Sequence, residues 1–232
     1  MASRAGPAAA ARAADQRLNP LPADWLVRLR RSLATVPDHD PARWHLAGRP
    51  LADAAVESAA RAAMPIAPRA AAVLVPIIDR PRSPTLLLTA RAGHLRHHAG
   101  QISFPGGGIE TGDEDVVAAA LRETREEIGI ESRYIEPLGF LPDQIVLTGF
   151  RITPVVALLR PDFKLQIDVA EVAEVFEIPL DYIVDANHFV PVRRVLRGVE
   201  VTLNDLNYQG RVVWGATAGM LQVLHHALRA QT

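Results

Sequence analysis

Apolar positions along the chain follow first a helical and then a strand period. From Ala23 to Thr35, Trp25, Leu26, Leu29 and Leu33 share one face, and Arg28, Arg30 and Arg31 occupy the other. That spacing predicts a short amphipathic helix, ended by Pro37 and the Asp38-His39-Asp40-Pro41 turn. A second helical stretch, Leu51 to Ala63, is alanine-rich and stops before Pro65. The pattern changes near Ala70. Ala71–Ile78 is a continuous apolar run and predicts a buried strand, Asp79–Pro84 a turn, and Leu86–Thr89 the next strand. A glycine-rich loop is expected at Gly106, Gly107 and Gly108. Val116–Ile128 reads as a helix with Val117, Ala120, Leu121 and Thr124 or Ile128 inward. Further strands are predicted at Ile135–Leu141, Ile152–Leu159, Val172–Ile178, Arg194–Leu203 and Arg211–Trp214. A closing helix, Ala216–Arg229, buries Met220, Leu221, Leu224 and Leu228.

Interleaved strands and helices with several hairpins imply an α/β fold built on a mixed sheet. Residues 1–69 read as an N-terminal extension, its tail (1–19) disordered and the remainder short helices. Residues 70–232 read as the main domain. The tail is alanine-rich with Arg4 and Arg12, a composition similar to that of a transit peptide, but no apolar secretion segment follows it, and a disordered start to a cytoplasmic protein is the preferred expectation. The 232 residues are 49% hydrophobic, enough for a substantial core, although alanine inflates the figure. A formal net charge of −1 gives no reason to expect nucleic-acid or membrane binding. The absence of cysteine excludes disulfides, cysteine-ligated zinc and thiol catalysis.

The chemistry concentrates between Gly106 and Ile130. Glu123, Glu126 and Glu127 stand at i, i+3 and i+4, so a helix places all three carboxylates on one face. Like charges so spaced cost a helix roughly 0.2–0.5 kcal/mol per pair unless compensated. Arg122 and Arg125 compensate in part, and a hard divalent cation would do so further. A solvated acidic face paired to its own arginines is the competing explanation. Phe104-Pro105-Gly-Gly-Gly108 precedes the helix, and glycines there let backbone approach a metal or phosphate closely.

These residues resemble the box of the Nudix hydrolase superfamily, G-x5-E-x7-R-E-U-x-E-E-x-G-U with U aliphatic. The chain supplies Gly108, Glu114, Arg122, Glu123, Glu126, Glu127, Gly129 and Ile130, while Thr124 replaces an aliphatic residue. A second pattern is similar to the coenzyme A diphosphatase-like branch. It comprises Leu87, Leu88, Thr89, Arg91, Ala92, Arg96, Gly100, Phe104, Pro105, Gly106 and Gly107. Trp214-Gly-Ala-Thr-Ala218 extends that likeness, which spans roughly Ala70 to Leu228, about two-thirds of the chain.

The resemblance implies a Nudix α/β/α sandwich: a mixed sheet flanked by helices, here with a helical N-terminal extension. It implies Mg2+ or Mn2+ held by Glu123, Glu126 and Glu127 with the carbonyl of Gly107. Gly106 is the alternative in a different register of the three glycines. Arg122 orients a glutamate, Glu114 holds the loop, and Gly108 and Gly129 are structural. The catalytic set is Glu126, Glu127 and Arg122, with Glu171 and Glu174 as distal candidates for the general base. Arg91, Arg96, Phe104 and Gly106 are the substrate-binding candidates, and Arg91 or Arg96 would meet the 3′-phosphate of coenzyme A. The histidines His94, His97 and His98 lack a cysteine or acidic partner nearby and are not read as a zinc site. Asp143 and Gln144 are possible lining residues, and Trp214 is read as core. The implied activity is hydrolysis of coenzyme A to 3′,5′-ADP and 4′-phosphopantetheine, and the resemblance implies a homodimer, the common state in this family. ADP-ribose, NADH or a nucleoside triphosphate are the alternative substrates. NADH-specific relatives carry a four-cysteine zinc module that this cysteine-free chain lacks. A non-catalytic sensor is the remaining alternative.

Overall fold

Strand β3 (Arg69–Ile78) runs through the middle of the sheet. Ala72 and Leu74 face one side, Val73, Val75 and Ile77 the other, and all five are buried. A strand covered on both faces loses the alternation of polar residues, which is why this segment reads as an unbroken apolar run. The computed structural model describes residues 20–51, 67–95, 98–196 and 198–230. β3 pairs in parallel with β9 (Phe150–Leu159) and antiparallel with β4 (Thr85–Arg91) and β6 (Gly106–Gly108). β4 also carries β5 (Ile102–Ser103) and β10 (Val172–Pro179). β9 carries β7 (Ile135–Phe140) and β8 (Gln144–Val146), and the sheet ends in β1 (His45–Leu46) and β2 (Arg49–Pro50).

Helix α2 (Val116–Ile128) covers one face through Ala119, Ala120 and Ile128, against Ala72, Leu74, Val155 and Ala157. The opposite face is covered by α1 (Trp25–Ser32) and α4 (Gly215–Arg229), which share a core through Leu29, Leu221, Leu224 and Leu228. A short helix α3 (Leu180–Ile183) adds Leu180 and Ile183 to that core. A separate sheet of β11 (Phe189–Leu196), β12 (Val199–Tyr208) and β13 (Arg211–Val213) stands beside α4. The architecture is the expected α/β/α sandwich on a mixed sheet.

Residues 20–51 join this core. The β1–β2 turn docks on α4 where two glycines meet: a Cβ on Gly48 would lie 2.7 Å from the Cα of Gly219. Asp143 and Gln144, expected as possible site residues, instead anchor this segment. The buried Asp143 carboxylate bonds His39 at 2.8 Å and accepts from Thr153 at 2.7 Å. Gln144 accepts from the Gly48 N–H at 3.0 Å.

Several expectations need correction. The single strand over Arg194–Leu203 is a hairpin, because Gly198 adopts φ +85° and reverses the chain between β11 and β12. The glycine loop at 106–108 is the strand β6, in register with Ala71–Val73. α1 is shorter than predicted, since Leu33 turns extended and Ala34 bridges to Phe140. Trp214 is 42% exposed and is not a core residue. The predicted helix over Leu51–Ala63 falls almost wholly outside the described residues, as do the tail, Arg96 and His97.

Candidate active site

α2 begins where Asp115 accepts the Ala118 N–H at 2.8 Å and ends at Gly129, whose φ of +74° closes the last turn. Between these caps the helix carries its acidic face toward β6. Thr124, the departure from the aliphatic pattern, is fully buried and returns its hydroxyl to the Ala120 carbonyl at 2.7 Å. The three glutamates differ sharply in exposure. The side chains of Glu127, Glu123 and Glu126 are 3%, 15% and 53% exposed.

Arg122 ties this face together. Its guanidinium donates to Asp113 at 2.9 and 3.1 Å, to Glu123 at 2.9 Å, to Glu126 at 3.0 Å and to the Gly108 carbonyl at 3.0 Å. Its pKa is raised, first by Asp113 and then by the two glutamates. The loop-holding acid is therefore Asp113, whereas the adjacent Glu114 is exposed to solvent. The sequence offered two consecutive acids there, and nothing in the spacing chose between them.

β6 brings its backbone against the carboxylates. A Cβ on Gly107 would lie 2.5 Å from Glu123 Oε1, and the Gly106 N–H donates to Glu127 at 3.3 Å. Arg91, at the end of β4, stands 3.8 Å from Glu127. These contacts do not compensate the buried charge. Burial pushes the Glu127 carboxyl up to about 8, against the pull of Arg91 and the Gly106 N–H, and also raises Glu123. Glu171 adds like charge to both. Among the described residues no three groups converge as a ready-made metal site, and Arg122 bridges Glu123 and Glu126. The donor set still suits a hard divalent cation: carboxylates, two of them in sites where burial disfavours the charged form, with glycine backbone packed against them.

The under-compensated Glu127 makes a prediction for the metal-free protein. A carboxyl that binds its proton more tightly folded than unfolded favours folding at low pH and loses that contribution as pH rises toward its folded value. Glu127→Gln is therefore expected to match the wild-type Tm at about pH 4, below the ordinary glutamate value, and to exceed it increasingly up to about pH 8. Thermal scans in EDTA would read this difference, and a constant offset across that range would contradict it.

A cleft of about 890 Å³ opens beside β6. Arg91, Gly106, Gly107 and Gly108 line it on the side of the glutamates, and Arg69, Phe150, Arg194 and Trp214 line other parts of its wall. Phe104, a substrate-binding candidate, borders the cleft but is 1% exposed and belongs to the core beneath it. Glu174 is held in an ion pair by Arg211, whereas Glu171 adds like charge to Glu123 and Glu127. His98 bonds Gln101 at 2.7 Å.

Comparison with protein-family models matches the NUDIX domain over residues 68–199, more than half of the chain. The protein belongs to the Nudix family. The "Uncharacterized Nudix hydrolase NudL" of Enterobacter sp. (strain 638) is 42% identical over 156 residues, which is 67% of this chain and 81% of that relative. Its counterpart in Escherichia coli O1:K1 / APEC is 43% identical over 156 residues, again covering 67% and 81%. Among solved structures, the NUDIX domain of Shewanella oneidensis NrtR complexed with ADP ribose matches 49% of this chain and 74% of that one. The two are 25% identical, with a TM-score of 0.39. As a Nudix hydrolase the protein is an enzyme acting on the pyrophosphate bond of nucleoside diphosphate derivatives, a chemistry for which the family generally requires divalent metal ions. No helix among the described residues is long and apolar enough to cross a membrane.

Proposed function

We propose that this Nudix hydrolase splits the pyrophosphate of coenzyme A or its derivatives into 3′,5′-ADP and 4′-phosphopantetheine. The observation that carries the reading is the arrangement of the Leu87–Gly107 signature around the box. Arg91 reaches Glu127 at 3.8 Å, the Gly106 N–H bonds the same carboxylate, and Gly107 packs on Glu123. Residues of a substrate-related pattern thus contact residues of the catalytic pattern, and Arg91, Gly106 and Gly107 also line the cleft.

Glu123, Glu126, Glu127 and the Gly107 carbonyl would hold Mg2+ or Mn2+. Such an ion supplies charge neutralisation to phosphoryl oxygens and acidifies a bound water. Arg122, fixed by Asp113, keeps Glu123 and Glu126 on one side of the helix. Arg91 offers its guanidinium to a phosphate at the rim of the box, and its Nε, buried without a hydrogen-bond partner among the described residues, leaves donor capacity for a ligand. Glu171, exposed and close enough to act electrostatically on both buried glutamates, is the distal general base this geometry favours over Glu174. The reading also places the protein in the cytoplasm as a homodimer, as its family resemblance suggests, with neither nucleic acid nor membrane as partner.

The test is chromatography of the products formed from coenzyme A in Mg2+ or Mn2+. The expected products are 3′,5′-ADP and 4′-phosphopantetheine, with turnover abolished by excess EDTA. Intact coenzyme A under conditions where ADP-ribose is cleaved would transfer the assignment to ADP-ribose.

A further inference from the structure

Three arginines of described position line the cleft, and they are not equivalent. Arg91 faces Glu127 at 3.8 Å, and Arg194 is paired to Asp205 at 2.5 Å. Arg69 has no carboxylate within ion-pair distance among the described residues. It is exposed, and its guanidinium lies over the ring of Phe150 at 4.1 Å. The two face each other directly across the β3–β9 ladder, so the aromatic holds the cation at a set place on the cleft wall.

That place is set relative to the box. On β3, Ala72 stands opposite Gly107, and Arg69 is three residues away. At about 3.3 Å per residue, Arg69 starts roughly 10 Å along the sheet from the glycine that packs on Glu123. A cation with no carboxylate within ion-pair distance among the described residues, on the wall of the cleft that Gly107 also lines, fits a second anionic group on the substrate. Coenzyme A carries one, the phosphomonoester on its adenosine ribose, which a planar guanidinium can grip through two parallel hydrogen bonds.

We propose that Arg69, buttressed by Phe150, recognises the 3′-phosphate and sets the preference for coenzyme A over nucleotides lacking that group. This rests on the coenzyme A reading. It moves the role away from Arg91, which the structure places on Glu127, and from Arg96, which lies outside the described residues. Neither sequence pattern includes Arg69, so only the fold brings it to the cleft.

The experiment measures kcat/KM of the full chain for coenzyme A and dephospho-coenzyme A in Mg2+. The wild type is expected to prefer coenzyme A by about tenfold to a hundredfold, the scale of one charge-assisted contact. Arg69→Gln should erase most of that preference through KM, leaving dephospho-coenzyme A within about twofold of wild type. Arg69→Lys, which keeps the charge without the fork, should recover part of it. An equal loss on both substrates, or no loss on either, would overturn the role of Arg69. If the wild type cleaves neither compound yet cleaves ADP-ribose, the substrate reading fails and the 3′-phosphate role fails with it.

Discussion

Glu126→Gln is expected to lower kcat by a factor on the order of 10³ while leaving the fold intact. Glu126 is the most exposed of the three box glutamates, and it pairs with Arg122 at 3.0 Å. Its loss leaves Arg122 bound to Asp113, Glu123 and the Gly108 carbonyl. It also removes a like charge from the face shared with Glu123, so the helix has no reason to weaken. The substitution changes one oxygen to an amide nitrogen and takes away a negative charge where the proposed cation is held. A thousandfold loss corresponds to about 4 kcal/mol of transition-state stabilisation, within the range expected when a metal site is crippled. Steady-state kinetics and a thermal scan decide the matter together. Unchanged kcat at unchanged Tm would remove Glu126 from the catalytic set.

Gly106→Ala is expected to act on stability and activity together. Gly106 has φ +153°, and an added Cβ would meet the Ala72 carbonyl and lie 2.6 Å from the Cα of Val73. Both obstacles are backbone of the central strand, which cannot swing aside. β6 must therefore separate from β3, at a cost of about 3 kcal/mol or more. For a protein of this size that lowers Tm by roughly 6–12 °C. The same shift pulls the Gly106 N–H away from Glu127 and the Gly107 backbone away from Glu123, so activity should fall by about a hundredfold or more. Full activity with wild-type Tm would mean that β6 does not hold the glutamates in place.

The parts of this protein that were legible in its sequence are those whose meaning is local. Val116–Ile128 is a helix because its apolar residues repeat at helical spacing between an aspartate cap and a glycine stop, and the three glutamates inherit their common face from that helix. β3 was legible because a strand buried on both faces has no polar positions to interrupt it. What was not legible depends on the partner across space. Gly106–Gly108 has no side chains to signal a strand, and becomes one only because Ala71–Val73 lie beside it. Arg194–Leu203 looks continuous until Gly198 folds it back. Asp113 and Glu114 are equivalent letters, and only the reach of Arg122 selects the first. Trp214 reads as core by composition, yet it stands on the cleft wall with Arg194 against its ring at 5.1 Å. Arg69 belongs to no motif and acquires interest through Phe150, eighty-one positions later in the chain.

The central claim is that this Nudix site is shaped for coenzyme A, and the ratio of kcat/KM for coenzyme A to that for ADP-ribose tests it most directly. Both compounds present an adenylate pyrophosphate to the box, so chemistry at the glutamates is common to them. They differ in the 3′-phosphate and in the arm beyond the second phosphorus. Measured with one enzyme preparation in Mg2+, the ratio is expected to exceed about ten, the contribution of one charge-assisted phosphate contact. A ratio below one would contradict the assignment.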